Sequence, residues 1–349
     1  MTKALLTRTD KEPLLMKASG LTQYEWVNYA KGIGIILVVY GHVARGVFNA
    51  GMTDNETLFR LVDAVIYSFH MPLFFFLSGL FFVSSLSKRG GKGLVVSKLD
   101  TIVYPYILWS LIQGGLSYSL QNITNYKTTV SDVLSLLWLP LDQFWFLYAL
   151  FVVFIFYTFA YSLFENVLAL FALSLCLYIF KGDLRISWSV VNAAINFGVY
   201  FCAGMLFSHY KTNEFKVSIL WVLVMVVLFT VSQFCFHSQF YTGDVVKLMM
   251  AFTGIGMVVV ISNFLTERCN LLKQLGRCSL EIYLVHVIFG SGFRIIMQYV
   301  FNIENSAFHL IFGTLVGVFI SLFFTEAVKR LKLNFLFYMP KHSINQSKN

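Results

Sequence analysis

Lys31 and His42 stand eleven positions apart inside a run, Trp26 to His42, that is otherwise mostly apolar. At about 100° per residue, eleven steps return to within about 20° of the starting direction, so both side chains share one helix face, about 16 Å apart in height. Asn28 lies on that face too. A second apolar run carries Tyr67, His70, Met71 and Pro72, then the small pair Ser78-Gly79: a histidine, a helix-breaking proline and a point where helices can approach closely. If the two runs cross a membrane antiparallel, His42 and His70 sit at similar depth and can share one cavity. A neutral imidazole with its usual pKa of about 6.5 accepts a proton at physiological pH, which makes His42 a candidate base. Ionisable groups are costly in hydrocarbon and usually face the bundle interior, where they mark sites. Blander readings stay open. A lysine near a helix end can snorkel to the interface, a histidine can bond between helices, and His70 with Pro72 also fits a kinked packing helix.

The elements that must hold these residues are membrane helices. Of 349 residues, 58% are hydrophobic and 12% charged, and the mean hydropathy is +0.72, whereas a soluble domain carries roughly a quarter charged residues. Apolar segments of about twenty residues, enough to cross roughly 30 Å of hydrocarbon, are expected near 26–46, 62–84, 99–120, 143–164, 166–181, 187–208, 217–236, 246–265, 279–300 and 307–328. The expected fold class is therefore all-α, a polytopic transmembrane bundle of about ten spans. The fifth span is short, and Ser131 to Leu141 could be re-entrant. With the amino terminus inside, 18 of the 26 lysines and arginines fall in internal segments, which favours both termini in the cytoplasm. The organisation read from this is a cytoplasmic segment 1–25, a transmembrane domain 26–330 and a cytoplasmic tail 331–349. The first twenty residues lack the apolar core of a cleavable signal peptide. The net charge of +9 is explained by internal loops, among them the expected loop Lys88-Arg89-Gly-Gly-Lys92, and calls for no nucleic acid. Five cysteines without paired spacing argue for neither a disulfide framework nor a metal site. No internal repeat is evident, which weakens a transporter built from inverted halves.

A succession of motifs carries a resemblance. The lysine, ten residues and histidine of the first span are followed by Phe69-His-Met-Pro-Leu-Phe-Phe-Phe-Leu-Ser-Gly79. Lys98 precedes Pro105-Tyr106, Phe144-Trp145-Phe146-Leu147 opens the fourth span, and Tyr200 to Met205 lies in the sixth. Ser279-Leu-Glu281-Ile-Tyr283-Leu-Val-His286 lies in the ninth. Together these resemble the acyltransferase family 3 proteins, especially the fucose 4-O-acetylase-like branch, from about Trp26 to His286. The chain departs from that pattern at Asn28, where the family often has aspartate, and at Lys31, where arginine is common. Only Lys98 stands where many members carry two arginines.

The resemblance implies transfer of an acyl group, usually acetyl from acetyl-coenzyme A as co-substrate, to a hydroxyl of a surface glycan or its lipid-linked precursor. It implies no permanently bound cofactor and no metal. Such chemistry asks for a base, donors for the tetrahedral oxyanion and cations for the coenzyme A phosphates. His42 is expected as general base, with a transient acyl-histidine as the alternative. His70 and Tyr67 are expected to orient the acceptor or stabilise the oxyanion. Lys31, Lys98 and Glu281 are expected to form a polar layer that grips the donor from the cytoplasm, with mutual ion pairing as the structural alternative. Asn28, Trp145, Tyr283, His286 and Arg294 complete the expected substrate-binding set. Arg294 belongs to none of these motifs; it is expected in the outer half of the ninth span at roughly the depth of His42, facing either the acceptor or the outer interface. The expected setting is a bacterial inner membrane, with a homo-oligomer or glycan-assembly partners compatible with it. The competing functions are a non-catalytic glycan or donor transporter, and an acyltransferase with another donor, such as succinyl, or a non-sugar acceptor.

Overall fold

The computed structural model describes residues 25–125, 127–184, 186–210, 217–238 and 243–340. Residues 1–24 of the expected cytoplasmic segment and 341–349 of the expected tail lie outside them. Among the described residues the chain is helical, without strands, and nine helical stretches are long and apolar enough to cross a membrane. The protein is a multi-pass helical bundle.

The first helix, α1 (Glu25–Asn49), is followed by α2 (Glu56–Tyr67) and α3 (His70–Gly79), which together occupy the expected second span. The break falls at Ser68-Phe69, ahead of the proline. Pro72 therefore sits in the first turn of α3, where its missing N–H costs nothing. Next come α4 (Phe82–Lys98), a π-helical turn (Leu99–Val103) and α5 (Tyr104–Ser119). The basic segment Lys88-Arg89-Gly-Gly-Lys92, expected as a loop, is thus helical and bent at Gly90, whose φ of 66° breaks the helical path. Its charges misled the reading because a helix at a bundle edge anchors itself with few apolar residues, here Phe82 and Leu94. The π-turn lies just before Pro105, which cannot donate a backbone bond to the preceding turn.

The segment considered re-entrant forms α6 (Val130–Leu134), capped reciprocally by Thr129 and Asp132, and 3-10 turns leading into α7 (Trp145–Phe164). The expected fifth span is the 13-residue α8 (Val167–Ile179), about 20 Å long at 1.5 Å per residue and so shorter than the hydrocarbon core. The remainder is α9 (Ser189–His209), α10 (Ile219–His237), α11 (Asp244–Leu265), the short amphipathic α12 (Asn270–Arg277), α13 (Ser279–Tyr299) and α14 (Ser306–Arg330).

The organising element is α1, which packs against α3, α11, α12, α13 and α14. Helices in lipid gain little from the hydrophobic effect, so close approach through small residues carries their association. At the crossing of α3 and α9, a Cβ on Gly79 would run into the carbonyl of Phe201, and one on Gly204 into that of Phe76. After α14 the chain turns back over the bundle end that carries Lys31. Phe337 is fully buried and stacks on Trp109, whose Nε1 donates to the Leu336 carbonyl at 2.7 Å. The Met339 amide donates to Asp100 at 2.8 Å.

Candidate active site

Helix α1 presents Lys31, Ile35, Val38 and His42 at steps of four, three and four residues, which keeps all four on one stripe. The first three line a cavity of about 260 Å³, together with Met71, Phe74, Leu77 and Ser78 of α3, and Phe146, Leu147, Leu150 and Phe154 of α7. Its polar end is made by Lys31 and Lys98, with Thr101 of the π-turn and Ser279. Lys98 lies 4.0 Å above the Phe154 ring and Lys31 lies 6.0 Å from the Phe81 ring. Neither ammonium has a carboxylate within ion-pair distance among the described residues. Two lysines without bonded counter-charges, in a largely apolar hollow, form an anion-attracting end.

The third member of the expected layer is engaged elsewhere. Glu281 is buried, pairs with Lys329 at 3.7 Å and accepts from the Tyr338 hydroxyl at 3.0 Å. Tyr338 lies beyond the last span, and burial together with the Glu281 carboxylate raises its phenol pKa, so it stays a proton donor. Glu281 therefore ties the returning carboxy-terminal segment to α13, while still influencing Lys31 through space.

Toward the other end, the cavity lining stops at Val38 on α1 and Tyr283 on α13. One turn further along each helix stand His42 and His286, with ring centroids 5.1 Å apart. His286 is 1% exposed, and its Nδ1 faces the carbonyls of Tyr283 at 2.7 Å and Ile282 at 3.2 Å. A carbonyl only accepts, so the proton sits on Nδ1 and Nε2 carries a lone pair. That Nε2 is buried without a hydrogen-bond partner in the described residues. His70 is held in the same tautomer by the Ile66 carbonyl, 2.8 Å from its Nδ1. The same carbonyl accepts the Phe69 amide at 3.3 Å, so the α2–α3 break and the His70 ring share one acceptor. His42 is half-buried.

His70 and His286 flank the site differently from the expectation. The ring next to His42 is that of His286, whereas His70 packs edge-on against Tyr67 at 4.4 Å. Tyr67 in turn lies against Gly41, and Arg45 stacks over it at 3.4 Å. Arg45 donates two bonds to Asp63, at 2.8 and 2.9 Å. Arg45, His70 and His286 all lie within electrostatic reach of His42. Arg45 and Asp63 were not singled out from the sequence. The available signal was spacing, since Arg45 follows His42 by three residues and Asp63 precedes Tyr67 by four. The Tyr283 hydroxyl donates to the Gln143 carbonyl, and Gln143 and Gln113 exchange bonds of 3.1 and 2.8 Å between their amides. Arg294 is buried beside Gly46, above the histidines.

Two expected residues do not join this group. Asn28 presents its backbone to Gly276 of α12, where an added Cβ would strike the Asn28 carbonyl. Trp145 packs on Phe197, with centroids 5.4 Å apart, and is not part of the cavity lining.

Fold and site define a polytopic membrane protein whose bundle holds an apolar cavity, with two lysines that have no carboxylate partner among the described residues at one end and a histidine pair one turn beyond the other. The chain belongs to the family described as acyltransferase domain, whose family model matches residues 24–326. It is also 29% identical over 128 residues to the nodulation protein NolL of Mesorhizobium japonicum. That match covers 37% of this chain and 33% of the relative, so the chain spans about a third of the curated protein it matches. No solved structure matches the chain.

Proposed function

We propose that the protein is a bacterial inner-membrane O-acetyltransferase that moves an acetyl group from acetyl-coenzyme A to a sugar hydroxyl of a surface polysaccharide or its lipid-linked precursor. The observation that carries this reading is one stripe of α1 that runs from Lys31, beside Lys98 at the polar end of the cavity, to His42, which meets His286 one turn beyond the cavity lining. Lysines suit phosphates, and an apolar hollow between the two ends suits a thioester arm. In the proposed reaction His42 takes the proton of the acceptor hydroxyl as its oxygen attacks the thioester carbonyl. The tetrahedral intermediate then expels the coenzyme A thiolate, which leaves with the proton. Tyr67 and His70, packed together beside His42, orient the acceptor.

The test is mass spectrometry of surface glycans from cells expressing either the native chain or His42→Ala at equal membrane levels. Acetylation should fall by about 10²–10⁴-fold, the usual worth of a general base. Full acetylation in the variant would overturn the assignment. Loss of the glycan itself, rather than of its acetyl groups, would point to a conduit.

A further inference from the structure

Two arginines stand near His42 on the side away from the lysines, and only one has a counter-charge. Arg45 is neutralised by the bidentate pair with Asp63. Arg294 is 5% exposed, its Nη1 donates to Gln298 at 2.9 Å, and its Nε has no acceptor among the described residues. No carboxylate lies within ion-pair distance of it among those residues. A buried guanidinium is costly in a membrane unless something pairs with it.

Its position gives that cost a use. His286 and Arg294 are eight residues apart on α13, within about 80° of one helix direction and about 12 Å apart in height. Helical side chains tilt back toward the amino terminus, and Arg294 reaches Gly46 of α1, where an added Cβ would lie 3.9 Å from Nε. Gly46 is one turn beyond His42, about 6 Å along α1. The guanidinium thus sits about one turn above the imidazole that would activate the acceptor.

We infer that Arg294 binds an oxyanion on the acceptor, a carboxylate or phosphate, and so selects acidic or lipid-diphosphate-linked saccharides over neutral ones. This rests on the acyl-transfer reading for the word acceptor. The guanidinium fork matches both groups, and its Nε–H offers the bond left unmade.

The experiment uses the full chain in lipid nanodiscs and two probe pairs. One is a glucuronic-acid-containing oligosaccharide against its carboxyl-reduced form. The other is a neutral oligosaccharide carried on polyprenyl diphosphate against the same sugar on the uncharged polyprenol. Dissociation constants are measured without acetyl-coenzyme A for the native chain, Arg294→Gln, Arg294→Lys and Arg294→Met. Native protein should prefer the anionic member of at least one pair by about tenfold or more, and the pair that shows it identifies carboxylate or diphosphate. Arg294→Gln should bring the ratio close to one, and Arg294→Lys should fall between. A native ratio near one in both pairs, or a ratio that survives Arg294→Gln, overturns the inference. Thermal melting of each variant in the same nanodiscs guards against misfolding. A melting point for Arg294→Gln well below native, with the uncharged Arg294→Met restoring both the melt and the native ratio, assigns a structural role and also overturns it. Binding is read without donor, so failure of acetyl transfer leaves this measurement standing and sinks only the proposed reaction.

Discussion

His42 and His286 face each other with unequal freedom. The proton of His286 is pinned to Nδ1 by two carbonyls, so its Nε2 lone pair can accept from a neighbouring imidazolium or orient His42 toward its acceptor. His286→Ala should therefore lower kcat by about 10–100-fold with little change in either KM, and adding it to His42→Ala should cost little more, as for residues acting as one unit. Steady-state kinetics on membranes with acetyl-coenzyme A would show this, and additive losses would argue for independent roles. At the other end, Lys31→Gln and Lys98→Gln should act on the donor. Each charge-assisted bond is worth about 1.5–3 kcal/mol, so the KM for acetyl-coenzyme A should rise by about 10–100-fold while kcat holds. A loss confined to kcat would show that the lysines do not grip the donor.

At the scale of elements, interruptions place the chemistry. At the break between α2 and α3 the Ile66 carbonyl accepts from both the Phe69 amide and the His70 ring, and the π-turn after Lys98 sets Lys98, Thr101 and Ile102 around the cavity. The crossing of α3 with α9 then holds Met71, Phe74 and Leu77 at the cavity wall. It depends on Gly79 and Gly204 meeting opposing carbonyls. Gly204→Val should destabilise the bundle by at least about 1–3 kcal/mol, the usual cost of overpacking, and lower its melting temperature in detergent. A melt unchanged from native would show that the crossing has slack. At the carboxy-terminal return, Tyr338→Phe removes the bond to Glu281 but keeps the ring. It should speed proteolysis around residues 334–340 without lowering the melt of the bundle.

For the whole molecule, the distribution of lysine and arginine predicts both termini on the cytoplasmic side, which requires an even number of crossings. Nine long helical stretches are present among the described residues, so the parity depends on the 13-residue α8. With native cysteines replaced by serine, Glu165→Cys should be labelled from the cytoplasmic face and Asp183→Cys from the outer face. Labelling of both from one side would make α8 a surface helix and reverse one terminus. Much of this was legible in the linear chain. Hydropathy located every long helix because lipid imposes about twenty apolar residues per crossing, and the 3.6-residue period put Lys31 and His42 on one face. The charged stretch of α4 was misread because hydropathy reports lipid exposure and says nothing of helices at a bundle edge. Trp145 shares a motif with site residues yet packs on Phe197, since membership of a motif does not set the direction of a side chain. The sequence by itself determined a membrane bundle, its family resemblance and the lysine–histidine stripe, all of which depend on local composition and period. Only the tertiary structure decided that His286 rather than His70 sits against His42, that Glu281 is occupied by Lys329 and Tyr338, and that Arg294 has no counter-charge among the described residues. Those facts depend on which helices meet and at what height, and residues hundreds of positions apart acquire that relation only by packing.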